Sequence, residues 1–132
     1  MVFFGEYIVN ITEGGRIVIP KKIREVITGE TFILTKGFDQ CLAGYDLTDW
    51  GNKTKDLNND SLFNSENIEK KRLIFSAAHF ISIDDQGRSV LPKKLLEIIS
   101  PNSKSLVFIG CGDHFEIWDA KNWQEYQKNI QF

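Results

Sequence analysis

The chain has 132 residues, 42% of them hydrophobic, and 16 Lys and Arg stand against 18 Asp and Glu for a net charge of −2. That length fits one domain with its own core, and the near-neutral balance excludes a uniformly basic polyanion binder. No apolar stretch approaches the roughly 20 residues of a membrane span, Met1 to Asn10 lacks the basic start and cleavage site of a signal peptide, and Cys41 and Cys111 are too few and too widely separated for a zinc motif or a disulfide framework.

In chain order, the β-branched residues Ile8, Val9 and Ile11 predict a strand that runs into a tight turn at Thr12 to Gly15. Ile17, Val18 and Ile19 predict a second strand, so that a hairpin is expected about the turn. Pro20 has no amide for a continuing strand but suits the first position of a helix, in which Ile23, Val26 and Ile27 share a face and Thr28-Gly29 mark the end. Phe32 to Thr35, Gly37 and Cys41 to Tyr45 read as strand, turn and returning strand, with Thr48 as a candidate helix cap. Asn52 to Asn67 is polar and reads as a solvated connection; from Ser65 a helix can begin, carrying Ile68, Arg72 and Phe75.

The same order then recurs. Ile81 and Ile83 lead to a turn at Asp84 to Gly87, Val90 to a strand, and Pro92 to a helix with Leu95, Ile98 and Ile99 on one face, closed by Ser100-Pro101. Leu106 to Ile109 and His114 to Trp118 form the next strand pair around Gly110 and Gly112. Asp119 can cap a final helix bearing Trp123, Tyr126, Gln127 and Ile130 on one side. The recurrence is an internal repeat: TEGGRIVIPKKIREVI at 12–27 and DDQGRSVLPKKLLEII at 84–99 agree at eight of sixteen positions. Unrelated windows of this length would share roughly one. Each half of about 60 residues is marginal alone, so the halves are expected to share one core.

The repeated element also concentrates positive charge. The two windows carry seven basic and five acidic residues, net +2, which leaves −4 for the rest of the chain. Arg16 and Arg88 are placed at the turns, and Lys21-Lys22 and Lys93-Lys94 follow the prolines, where two copies can grip phosphate twice. A lone Lys-Lys would ordinarily just solvate a helix start; its duplication favours the functional reading. No nucleophile, base and orienting group emerge at catalytic spacing, and there is no phosphate loop, dinucleotide fingerprint or paired metal-ligand motif. Asp84 and Asp85 are adjacent and diverge, while His79 and His114 read as packed residues with satisfied ring nitrogens. Neither an enzyme, a cofactor nor a metal is expected.

The residues Met1 to Gly5, Gly15 to Pro20, Gly87 to Pro92 and Phe115-Glu116-Ile117-Trp118 together resemble the MraZ family, bacterial transcriptional regulators related to AbrB-type swapped-hairpin DNA-binding domains. The resemblance implies an α+β fold in which duplicated β-β-α units form one swapped-hairpin barrel within residues 1–132. It places the first repeat at 5–51, a connecting loop and helix at 52–76, the second repeat at 77–124 and the end of the last helix at 125–132. It also implies a cytoplasmic, nucleoid-associated homo-oligomer, a closed ring, that binds double-stranded DNA at direct promoter repeats of the division and cell-wall gene cluster. In this family an Asp-x-x-x-Arg loop faces DNA. The second copy has it as Asp84 to Arg88, with Gly87; the first departs from it with Thr12 before Gly15 and Arg16. Arg16 and Arg88 are then expected to pair with guanine edges in the major groove or to grip its rim, while the lysine pairs position the backbone. A different class of reading, a protein-binding module such as the antidote subunit of a toxin pair, follows from the wider swapped-hairpin relatives.

Overall fold

The computed structural model describes residues 2–58, 65–99 and 104–130. The first copy supplies β1 (Glu6–Asn10), β2 (Arg16–Val18), α1 (Lys21–Arg24), β3 (Thr31–Lys36), β4 (Leu42–Asp46) and α2 (Leu47–Asn58). After α3 (Ser65–Ala77) the second copy repeats the order with β5 (His79–Ser82), β6 (Arg88–Val90), α4 (Lys93–Ile99), β7 (Ser105–Gly110), β8 (Phe115–Asp119) and α5 (Ala120–Lys128). The α+β duplication expected from the sequence is what the chain adopts. No helix of the described residues is long and apolar enough to cross a membrane.

The halves fold through one another. A six-stranded antiparallel sheet runs in the order β1-β7-β8-β4-β3-β5, and β2 and β6 form a separate two-stranded ribbon. The first strand of each copy therefore pairs with the third strand of the other, β1 on β7 and β5 on β3. The simple hairpin expected between β1 and β2 is replaced by this exchange; only a single bridge, Thr12 to Arg16, joins them. The reason lies in Pro20, which ends β2 after three residues, whereas β7 offers β1 a five-residue ladder. The exchange has near two-fold symmetry. Ile17 opposes Ser89 at the centre of the ribbon, the Ile19 amide donates to the Gly87 carbonyl, and the Leu91 amide to the Gly15 carbonyl, each at 2.8 Å.

Both copies fill one core. Ile17, Ile19 and Ile23 from the first pack with Leu91, Leu95 and Ile99 from the second, above a sheet face built of Phe32, Leu34, Leu106, Phe108 and Phe115, all buried. This shared burial is what a half of about 60 residues could not provide alone.

Three local expectations are corrected. The first helix is one turn long and stops at Arg24 instead of Thr28-Gly29. The β-branched Val26, Ile27 and Thr28 resist continuation, and the Thr28 amide finds the Asp46 carboxylate at 2.7 Å instead. The polar stretch after Asn52 is helical through Asn58: Thr54 is buried and donates to the Trp50 carbonyl at 2.9 Å, and Lys53 lies 3.9 Å from Asp49 one turn back and 3.0 Å from Asp113 across the fold. The residue that precedes α2 is Asp46, which accepts from Thr28 and Thr48, so Thr48 supports the helix start without capping it; Asp119 caps α5 as expected through the Asn122 amide. The expected helix end at Ser100-Pro101 lies outside the described residues.

The turns make a graded prediction. Gly14 and Gly15 have φ of +81° and +78°, but a Cβ at Gly14 meets nothing, whereas one at Gly15 would stand 2.6 Å from the Leu91 carbonyl oxygen. Gly14→Ala is expected to cost about 1–2 kcal/mol for the left-handed backbone alone. Gly15→Ala should add ~1–3 kcal/mol of overpacking at the crossing of the two copies. Thermal unfolding of the two variants under identical conditions checks the order.

Candidate nucleic-acid interface

A two-residue alternation decides what the ribbon shows to its surroundings. Ile17 and Ser89 face inward and are buried, Ser89 donating to the Ser82 carbonyl at 2.8 Å. The outward face is therefore Arg16, Val18, Arg88 and Val90, with the valines 49% and 53% exposed. Arg16 pairs with Val90 and Val18 with Arg88, so the two arginines sit on the diagonal of a four-residue patch, Cα atoms roughly 7–8 Å apart. They open the ribbon strands just after the turns, rather than occupying the turn tips.

The two loops hold their arginines differently. In the second, Asp84 accepts the Arg88 and Gln86 amides through Oδ1 at 2.9 Å each and the Arg88 Nε through Oδ2 at 3.0 Å. The Arg88 amide, helped by the Gln86 amide and the guanidinium, holds the Asp84 carboxyl below the usual carboxylate range. In the first loop Thr12 supplies one side-chain bond, its hydroxyl donating to the Arg16 carbonyl at 3.2 Å. Among the described residues Arg16 makes no ion pair. Arg88 is thus aimed by its loop, and Arg16 is not.

Because Asp84 has a depressed folded-state pKa, its contribution to loop order is present above the ordinary carboxylate value of 3.8 and fades as pH falls through the lower folded value. The expected result is a loss of hydrogen-exchange protection at the Gln86 and Arg88 amides below that pH, measured against their intrinsic rates, with protection at the Arg16 amide unchanged. Asp84→Asn should show the faster exchange at neutral pH.

Gly15 and Gly87 are buried and support the loops from beneath instead of presenting a contact surface. Lys21, Lys22, Lys93 and Lys94 are exposed at the starts of α1 and α4; Lys22 is 3.8 Å from Glu25, and Lys94 donates to the Ser76 carbonyl at 3.1 Å. That leaves Lys21 and Lys93 without an ion pair among the described residues. Beside the ribbon, an open groove of about 430 Å³ is lined by Arg16, Phe80, Asp84, Arg88, Val90 and Pro92, with Phe80 72% exposed on the edge strand β5.

Two groups of residues lay beyond the sequence reading. Arg24 donates through Nε to the Ile19 carbonyl at 2.9 Å and lays its guanidinium over Gly87, where a Cβ would be 2.7 Å from its Cζ. Leu96 holds the equivalent place beside Gly15, so a third basic group lies under the second loop only; the repeat offset that aligns Arg24 with Leu96 was the available signal. The second group is around His114, whose Nδ1 lies 2.7 Å from Asp113 and whose Nε2 lies 3.3 Å from Glu116. Hydrogen bonds to the Cys111 sulfur, Glu116 and Asp113 push the imidazole pKa up to about 10. His79 is satisfied by the Ala77 carbonyl at 2.8 Å, and both cysteines are free thiols.

The profile of a protein family described as "MraZ protein, putative antitoxin-like" matches this chain twice, over residues 2–73 and 74–132. Among curated relatives, the transcriptional regulator MraZ of Clostridium tetani is 41% identical over 132 residues, covering 99% of this chain and 92% of the relative. The protein of the same name from Dictyoglomus thermophilum is 39% identical over 96% of this chain and 86% of its own length, and that from Clostridium acetobutylicum is 39% identical over 97% and 89%. The two profile matches meet within α3, between residues 73 and 74, and the relatives are matched over nearly the whole chain. The chain belongs to the MraZ family of transcriptional regulators.

Proposed function

We propose that the protein is a non-catalytic regulator that reads short direct repeats in promoter DNA through the β2–β6 ribbon, several chains acting together as a ring-like homo-oligomer on the nucleoid. The observation that carries this reading is the outward ribbon face, two arginines on a diagonal with two valines between them. A two-stranded ribbon fits the major groove, arginine can pair bidentately with guanine, and a valine can meet the methyl group of thymine. Lys21 and Lys93 then position the phosphates. A net charge of −2 is no obstacle, because several weakly basic faces held in one assembly raise the effective local concentration and multiply affinity. The resemblance to the family further points to the promoter of the division and cell-wall gene cluster as the target.

The test is binding of the purified protein to the DNA upstream of its own gene and to scrambled DNA of equal length, at several salt concentrations, with native mass measured in the same buffer. Preferential, salt-sensitive binding by an assembly larger than a dimer supports the reading. Equal binding to both DNAs by the native protein overturns sequence-specific promoter recognition. The family description also contains the word antitoxin, which keeps a protein-binding role in view. Against it, α5 commits Trp123 and Tyr126 to packing on Trp118, with ring centroids at 5.2 and 4.8 Å. Recovery of a small toxin in stoichiometric amount would reverse that judgement.

A further inference from the structure

We propose that Cys111, His114 and Glu116 form a site for a divalent transition metal of the zinc class at the turn between β7 and β8. Cys111 and His114 flank a two-residue turn in which Gly112 has φ +82° and the Cys111 amide donates to the His114 carbonyl at 2.8 Å. Residues facing each other across such a turn project to one side, and Glu116, two residues beyond His114, falls on that side too. Their donor atoms all lie within 4.8 Å of one another, with His114 Nε2 and Glu116 Oε2 3.3 Å apart. Bonds of ~2.0–2.3 Å to a tetrahedral ion place neighbouring ligand atoms roughly 3.3–3.7 Å apart. One pair already has that spacing, and the exposed Cys111 side chain closes the rest by rotation.

The surroundings orient these groups as metal ligands are ordinarily oriented. Asp113 Oδ1 holds His114 Nδ1 at 2.7 Å and leaves Nε2 toward the site; the Trp118 indole donates to Glu116 Oε1 at 2.9 Å and leaves Oε2 toward it. Tyr45 stacks on the imidazole, centroids 5.5 Å apart and planes at 22°, and Lys53 balances Asp113 at 3.0 Å. A thiol with an imidazole selects zinc, cobalt or nickel over magnesium or calcium. Binding would displace the thiol proton and the Nε2 proton to solvent, and three protein ligands leave one position for water. The spacing Cys-x-x-His-x-Glu matches no paired-ligand motif, which is why only the folded turn reveals it.

The site is tested by titrating Co²⁺ into the full chain after chelator treatment and then displacing it with Zn²⁺. The expected result is one cobalt per chain with a thiolate-to-cobalt charge-transfer band and tetrahedral ligand-field bands. Cys111→Ser should abolish the charge-transfer band, since the remaining thiol, Cys41, is buried and its pKa is pushed up to about 12 by that burial. Asp113→Asn, which keeps every ligand, should weaken zinc by ~10–100-fold in competition with a chelating dye, at unchanged circular dichroism. In the unsubstituted protein, Zn²⁺ should protect Cys111 from iodoacetamide. No charge-transfer band at excess cobalt, a band that survives Cys111→Ser, or alkylation of Cys111 unaffected by zinc would each overturn the proposal.

Discussion

Arg16→Ala and Arg88→Ala are expected to remove the preference for promoter DNA over scrambled DNA while native mass and melting temperature stay where they were. A bidentate arginine–guanine pair is worth about 1–3 kcal/mol of discrimination, or roughly 5- to 150-fold for each chain engaged, and the loss multiplies when several chains of one assembly bind together. The effects should differ in size. Arg88 is already held by Asp84 at 3.0 Å, whereas Arg16 has no such partner, so on the proposed reading Arg88 would meet the groove pre-ordered and Arg16 would be ordered on binding. Arg88→Ala should therefore cost more than Arg16→Ala, and Asp84→Ala, which leaves Arg88 in place but unaimed, should cost less than either. The exposed Asp84–Arg88 pair contributes little to stability, so the variants stay folded. Lys21→Ala and Lys93→Ala should weaken binding to both DNAs alike and flatten the salt dependence by about one unit of slope for each phosphate no longer neutralised. Fluorescence anisotropy on labelled duplexes, with mass measured alongside, separates these outcomes. Unchanged preference in the arginine variants would sink the groove assignment, and dissociated assemblies would instead make the arginines intersubunit contacts.

The largest effect on stability is expected at Phe115. Its ring is fully buried and meets Phe3, Phe32 and Phe108 at centroid distances of 5.2, 5.5 and 5.8 Å, joining the N-terminal segment and both halves of the sheet. Across the β4–β8 ladder it lies over Gly44, where a Cβ would fall 2.1 Å from the ring. Phe115→Ala should cost about 3–5 kcal/mol. At roughly 3–5 °C per kcal/mol for a chain of this size, that lowers the melting temperature by ~10–20 °C. Gly44→Ala alone should cost ~1–3 kcal/mol by overpacking, but close to nothing once Phe115 has been truncated. Thermal unfolding of the two single variants and the double variant measures the coupling. Additive losses would mean that the ring and the glycine do not depend on each other.

Much of this was visible in the residues themselves because it rests on local chemistry. The repeat, the strand boundaries set by Pro20 and Pro92 and the final helix capped by Asp119 all follow from short-range rules, and all are present in the structure. What was hidden depends on partners distant in sequence. Nothing in Glu6 to Asn10 states that its ladder partner is Ser105 to Ile109; that choice follows from the short reach of β2. Nothing local marks Arg24; it is the crossing of the copies that brings Gly87 beneath it. Along the helical course of Asn52 to Asn58, Lys53 reaches Asp113, sixty positions away, a contact no local pattern announces. Val18 and Val90 read as strand residues, and only the inward turn of Ile17 and Ser89 places them on the outside.

The broken symmetry of the ribbon gives each chain a polarity. A reader with an unbroken two-fold axis recognises a palindrome and cannot tell one end of its site from the other. Here the axis through Ile17 and Ser89 relates Thr12 to Asp84 and Leu96 to Arg24, so one end of the ribbon is a rigid, doubly basic grip and the other a looser one. Because both copies lie in one chain, the two loops can differ in sequence, as two loops on identical chains cannot. A protein with a head and a tail can face one way along a duplex, and on the proposed reading successive copies in a ring would all face that same way.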